Sequence, residues 1–443
     1  MLGEYRFTGR GASEIAEGIE QGVGSGELAP GRRLPPMREL AVDLGVNPNT
    51  VAAAYRILRD RGVIETDGRR GSRIRARPAT TPRDAVRLAA GPGVRDVSGG
   101  NPDLALLPPL DGALAEAARR NAARPGLYGY ESVLPELEER ARAGFVADGV
   151  PAGPVALASG SLDVIERALG AHLKPGDAVA VEDPGWSSLL DLVPAMGLRL
   201  LPVAVDDAGP RPAEVARALD RGARALVVTD RAQNPTGAAL TAERAAALRA
   251  VLTDHPGVLV IEDDHGYANV DVPLHPLAGA TGHWLMVRST AKAYGPDLRL
   301  AVFTGDAVTL DRIRGRYRLG PGWVSRLLQY AVVHLWSTGA VDVPAVAASY
   351  GRRRNALAAA LARHGVPAHG RTGMNVWIPV TDETGVTARL LQAGWAVDPG
   401  ARFRVASGPG VRVTVSTLTD ADIEPLAAAV AAAVRPGPGA RFD

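Results

Sequence analysis

Only two of the 50 basic residues in this 443-residue chain are lysine, Lys174 and Lys292. A guanidinium is permanently protonated and cannot act as an amine nucleophile. A lysine kept in so arginine-rich a chain is therefore a candidate for chemistry that arginine cannot do, above all Schiff-base formation with an aldehyde. Lys174 lies in Leu173-Lys174-Pro175-Gly176-Asp177, a turn before an apolar run, and reads as a loop residue. Lys292 follows the strand-like run 284–288, in Ser289-Thr290-Ala291-Lys292-Ala293-Tyr294, a far more suggestive setting.

Three further strand-like runs end on residues suited to holding a cofactor. Run 177–181 precedes Glu182-Asp183-Pro184-Gly185-Trp186, run 223–229 leads to Asn234-Pro235-Thr236-Gly237, and run 257–261 leads to Glu262-Asp263-Asp264-His265. Ligands of open α/β sheets sit at the carboxyl ends of the strands, so these side chains should converge with Lys292. Ala158-Ser159-Gly160-Ser161 precedes the amphipathic run 162–173, and free N–H groups at a helix start seat a phosphate. An amine, a phosphate seat, a flat aromatic, an amide and a carboxylate are the parts that pyridoxal 5′-phosphate (PLP) requires. Taken singly, each has a bland reading: a turn at Asn234, a cap at Asp263, packing at Trp186. Their joint occurrence behind strand-like runs, with a rare lysine among them, carries the cofactor reading.

The elements that must position these residues are apolar runs alternating with Ala-rich helical patterns from about residue 97 onward, an α/β pattern with a parallel or mixed sheet. Residues 76–96 have the proline and glycine content of a linker. Before it, three helical patterns appear near 13–21, 36–44 and 48–61. Gly45-Val46 makes a tight turn, Asn47 suits an N-cap and Pro48 the first helical position. Two helices joined by so short a turn describe a helix-turn-helix. Residues 63–66 and 72–75 flank Asp67-Gly68-Arg69-Arg70-Gly71, which reads as a basic β-hairpin.

Composition narrows the classes. Cysteine is absent, which excludes disulfides and thiolate chemistry. No apolar run approaches the ~20 residues of a membrane span, and the N-terminus lacks a signal-peptide core, so a cytoplasmic protein is expected. A net charge of +2 names no partner by itself.

Residues 5–75 resemble the winged-helix domain of the GntR superfamily of bacterial transcription regulators, through Arg32-Arg33-Leu34-Pro35-Pro36-Met37-Arg38-Glu39-Leu40-Ala41, Leu44-Gly45-Val46-Asn47, Thr50-Val51, Tyr55 and Leu58. The resemblance places the third helix in the major groove. Asn49, Thr50 and Arg56 then face bases or phosphates, and Arg33, Arg38, Arg69, Arg70 and Arg73 hold phosphates. The remainder resembles fold-type I PLP-dependent aminotransferases, and the whole chain the MocR subfamily, which joins the two. Domains are accordingly expected at 1–75 (winged helix), 76–96 (linker) and 97–443, the last with a large part near 130–310 and a small part near 311–435.

By that resemblance, Lys292 forms an aldimine with PLP, Asp263 pairs with the pyridine nitrogen, and Asn234 bonds the phenolic oxygen. Trp186 stacks on the ring, while Gly160, Ser161, Ser289 and Arg299 bind the phosphate. Tyr128 reaches the phosphate of a neighbouring subunit, and Arg412 clamps an α-carboxylate. Two departures stand out. His265 replaces the usual tyrosine near the phenolic oxygen, and imidazole titrates near neutral pH. Glu131-Ser132-Val133-Leu134 lacks the usual glycine. The expected function is that of a homodimeric regulator that binds double-stranded DNA and senses PLP, an amino acid or an amine through Lys292. The alternatives are an active aminotransferase with a vestigial DNA-binding head, and a DNA-binding protein whose second domain is a scaffold without cofactor.

Overall fold

The computed structural model describes residues 5–25, 27–29, 31–60, 63–66, 71–74, 91 and 93–435. The chain divides into two compact units: residues 1–82 with the short segments 173–178 and 191–199, and the remainder.

The first unit holds α1 (Ala12–Ser25), α2 (Met37–Leu44), α3 (Pro48–Asp60), β1 (Ile64–Thr66) and β2 (Ser72–Ile74). Gly45 ends α2 in the left-handed conformation at φ 64°, its N–H reaching the carbonyls of Ala41 and Val42, a conformation glycine adopts without steric penalty. The Asn47 side chain then accepts from the Asn49 N–H at 2.8 Å and caps α3. Apolar residues at helical spacing meet in one core that includes Ile15, Ile19, Leu40, Val51, Tyr55 and Leu58. β1 and β2 pair antiparallel, with Ile64 opposite Ile74 and Glu65 opposite Arg73. Both isoleucines close the core from the wing. Arg69, Arg70 and most of the linker lie outside the described residues.

The second unit opens with β3 (Arg95–Asp96), two residues at the end of the expected linker, followed by α4 (Asp111–Ala123) and α5 (Pro135–Ala147). Its main sheet comprises β4 (Val155–Ala158), β5 (Ala178–Asp183), β6 (Arg199–Asp206), β7 (Gly209–Pro210), β8 (Ala223–Thr229), β9 (Leu259–Asp263), β10 (His283–Ser289) and β11 (Ala301–Gly305). The strand order is β4-β11-β10-β9-β8-β5-β6-β7. β8, β9 and β10 are mutually parallel, while β11 runs against both β10 and β4. The carboxyl ends of β4, β8, β9 and β10 therefore share one edge. β9 is buried along its whole length, as expected of a strand covered on both faces.

Between and after these strands lie α6 (Ser161–His172), α7 (Ser187–Ala195), α8 (Pro212–Asp220), α9 (Ala242–Thr253), α10 (Ala307–Arg318) and α11 (Arg326–Ser337). α10 packs on α6 and β10, and α11 on α4 and α5. The small part contains α12 (Val343–Arg363), β12 (Asn375–Pro379), α13 (Glu383–Gln392), β13 (Trp395–Ala396), β14 (Asp398–Pro399), β15 (Gly410–Thr414) and α14 (Asp420–Val434). Its sheet runs β12-β15-β14, all antiparallel, and β13 pairs with β3. A separate apolar core, including Tyr350, Leu357, Val376, Val411 and Leu426, fills it.

Candidate functional site

Asp263 is the last residue of β9, at the middle of the main sheet. Its carboxyl is buried and accepts the Ser161 hydroxyl at 3.0 Å. Burial pushes its pKa up to about 7, with the Ser161 hydroxyl pulling the other way, neighbouring Asp264 adding to the rise and Lys292 opposing it. A carboxyl placed so is matched to a cationic partner such as a pyridinium. His265 Nδ1 lies 4.0 Å from the Asp263 carboxylate. Burial first, and then the Lys292 charge, push this imidazole down to about 3. Its titration is thus held below the near-neutral range expected from its residue type.

Lys292 sits in the turn after β10, its Nζ donating to the Gly100 carbonyl at 2.8 Å. Ser289, the last residue of β10, accepts the Ala291 N–H on its hydroxyl at 3.2 Å. Ser161 begins α6, and Gly160 before it has φ +124°. A Cβ at Gly160 would lie 2.8 Å from Arg299 Nη2. Arg299, itself left-handed at φ 43°, donates to the Ser159 carbonyl. A helix start, a bare backbone and a guanidinium thus form one cradle suited to a phosphate.

The third group comes from the small part. Arg412 on β15 is buried and donates through Nη1 to Asn234 Oδ1 at 2.9 Å. Through Nη2 it donates to the Ser98 carbonyl and to Asp398, each at 2.6 Å. Arg402 also pairs with Asp398. A Cβ at Gly100, where φ is +65°, would lie 3.0 Å from Arg412 Nη2, so segment 98–100 links Lys292 to Arg412. Trp186 is half-buried after the cis Asp183–Pro184 bond, its carbonyl accepting from the N–H groups of Leu189 and Leu190. Tyr128 instead stands on the surface, 89% exposed and edge-on to Trp323 at 5.4 Å. Ser98, Gly100, Asp398 and Arg402 were not singled out by sequence; Asp398-Pro399-Gly400 carries only a turn signal. The amine, the buried carboxyl, the amide and the phosphate cradle fit PLP.

On the first unit, Arg33, Arg38, Asn49, Arg56 and Arg73 are exposed and Thr50 is half-buried. Arg73 is matched across the wing by Glu65 at 2.7 Å. The surface offers guanidinium and amide groups from α2, from the start of α3 and from β2, a distribution suited to a phosphate backbone and a groove.

Comparison with known proteins gives the same division. Residues 98–430 match the aminotransferase class I and II family, and residues 12–74 match the gntR family of bacterial regulatory proteins. Over 429 residues, 95% of this chain and 97% of the other, the chain is 41% identical to the vitamin B6 salvage pathway transcriptional repressor PtsJ of Salmonella typhimurium. It is 24% identical over 435 residues, 90% of this chain and 85% of the other, to the probable rhizopine catabolism regulatory protein MocR of Rhizobium meliloti. Among solved structures, a double mutant of Thermus thermophilus aspartate aminotransferase aligns with a TM-score of 0.67 at 25% identity, over 77% of this chain and 91% of that one. With a gntR-type head on a fold-type I, PLP-dependent aminotransferase-like body, the chain belongs to the MocR subfamily of GntR transcription regulators.

Proposed function

We propose that this regulator binds double-stranded DNA through its winged helix and senses PLP, or an amine held through it, at Lys292. The carrying observation is the meeting of Lys292, Asp263, Asn234 and the Gly160–Arg299 cradle at one sheet edge, in a chain that also carries a gntR head. When bound, PLP supplies an aldehyde that condenses with amines and a ring that delocalises negative charge. Lys292 would supply the amine for it. Asp263 would hold the ring nitrogen, and Asn234 and His265 the phenolic oxygen. Trp186 would hold the ring face. Gly160, Ser161, Ser289 and Arg299 would seat the phosphate, with Ser161 also bonded to Asp263. Arg412 borders the place where an effector's substituent lies.

A homodimer follows the resemblance, in which Tyr128, exposed on the single chain, would reach the phosphate held by a second copy. Two copies present two DNA-reading heads. Among the described residues no helix is long and apolar enough to cross a membrane, and a DNA partner supports a cytoplasmic location. The similarity to a repressor of vitamin B6 salvage supports PLP itself as the signal and vitamin B6 metabolism as the regulated pathway. Control requires that PLP bind one conformation more tightly than the other.

Purified full-length protein is expected to turn yellow with PLP, to give a borohydride-trapped adduct at Lys292, and to change its affinity for its own upstream DNA. Protein that stays colourless and whose DNA binding ignores PLP overturns the reading. Sustained conversion of an amino acid to its 2-oxo acid without DNA binding favours the aminotransferase instead.

A further inference from the structure

Arg412 is not an open receptor for a carboxylate. It stands directly opposite Asp398 in the β14–β15 ladder. Its two terminal nitrogens carry four N–H groups, and three of them are directed at Asn234 Oδ1, the Ser98 carbonyl and Asp398 Oδ2. A bidentate grip on an α-carboxylate takes two parallel N–H groups. An incoming carboxylate therefore has to displace a protein acceptor or share the guanidinium with Asp398 at like-charge distance. Asp398 is only 1% exposed, and its other oxygen is held by the buried Arg402. Swinging it aside would break a second buried ion pair, which is strongly unfavourable.

We propose that Asp398 is a specificity-determining residue. It makes the site admit ligands that lack a carboxylate beside the reacting nitrogen, PLP alone or a simple amine, and disfavour α-amino acids. This rests on the reading of Lys292 as the PLP anchor. The acid occupies the grip in advance and sets a negative charge against the guanidinium that an α-carboxylate would have to share.

The test titrates full-length, PLP-loaded protein with L-leucine and with isopentylamine, which differ by the carboxylate, and reads binding by visible absorbance. Comparing the ratio of the two affinities between wild type and Asp398→Asn cancels the different basicities of the amines. The ratio is expected to shift toward leucine by roughly tenfold or more, since like charges a few ångströms apart repel strongly at a partly buried site. Asp398→Glu, which keeps the charge, is expected to retain the wild-type ratio. An unchanged ratio in a D398N protein that still holds PLP, or an equal shift in D398E, overturns the proposal. If D398N fails to fold, the wild type decides. 4-Methylpentanoate, leucine without its amine, is expected not to compete with isopentylamine at equal concentration, and competition overturns the proposal. A wild type with no PLP absorbance is a separate failure, that of the Lys292 reading itself.

Discussion

Ser161 gives its hydroxyl hydrogen to Asp263 across 3.0 Å, tying the first residue of α6 to the last residue of β9. The bond joins the proposed phosphate seat to the proposed partner of the ring nitrogen, so a single contact relates the two ends of the proposed PLP site.

Asp263 keeps its proton up to about pH 7 in the folded chain, whereas an exposed carboxyl releases it near ~4. The folded state thus holds an extra proton between those values. Cofactor-free protein accordingly loses stability as pH rises through that window, and no further above it. Asp263→Asn cannot ionise. Its melting temperature without PLP is expected to match wild type near pH 4 and to exceed it by a few degrees at pH 8, while PLP retention falls. Thermal melts at the two pH values, read beside the visible spectrum, check both halves; a lower melting temperature for the variant at pH 8 counts against the account.

Lys292→Ala removes the amine and its bond to the Gly100 carbonyl. The variant is expected to lose the borohydride-trapped adduct entirely and to lose the effect of PLP on DNA affinity, while DNA binding without PLP stays within about twofold. Mass spectrometry of the trapped protein and anisotropy on labelled DNA measure these outcomes. A trapped adduct that persists would move the anchor elsewhere.

Gly160→Ala forces a Cβ to within 2.8 Å of Arg299 Nη2 at a backbone φ of +124°. Strain of about 1–3 kcal/mol is usual for such a conformation, and Arg299 must shift. PLP affinity should fall about tenfold or more, with inorganic phosphate a weaker competitor for the site. Titration followed at the visible band tests this, and wild-type affinity would remove the cradle from the site.

Glu65→Gln releases Arg73 from its cross-wing ion pair. Affinity for unrelated DNA sequences should then rise, and the slope of log affinity against log salt should steepen by up to about 1. Anisotropy titrations at several salt concentrations decide it. An unchanged slope would place Arg73 away from the phosphates.

Much of this was legible because it is local. Helical spacing and the Gly45–Pro48 punctuation give the helix-turn-helix, since caps and turns are satisfied within a few residues. Strand ends near Asn234, Asp263 and Lys292 follow from short apolar runs with breakers behind them. Asp263 and Ser289 prove to be the terminal strand residues, slightly beyond the runs read from sequence. What escaped depends on distant partners. Nothing near Asp398 reveals that strand pairing sets it against Arg412, and nothing near Ser98 reveals its bond across 314 residues. His265 titrates normally by residue type; burial, with Lys292 and Arg412 nearby, lowers it.

β3 and the residue after it moor the chain where the connection from the DNA-reading head ends. Arg95 and Val97 bond backbone to backbone with Gly394 and Ala396, and the Thr414 N–H holds the Val97 carbonyl at 2.7 Å. The tether is thus knotted to the strand that bears Arg412 rather than to the sheet that bears Asp263. Strain on the chain at Arg95–Val97 therefore falls on β13 and β15 before it reaches the strands around Asp263.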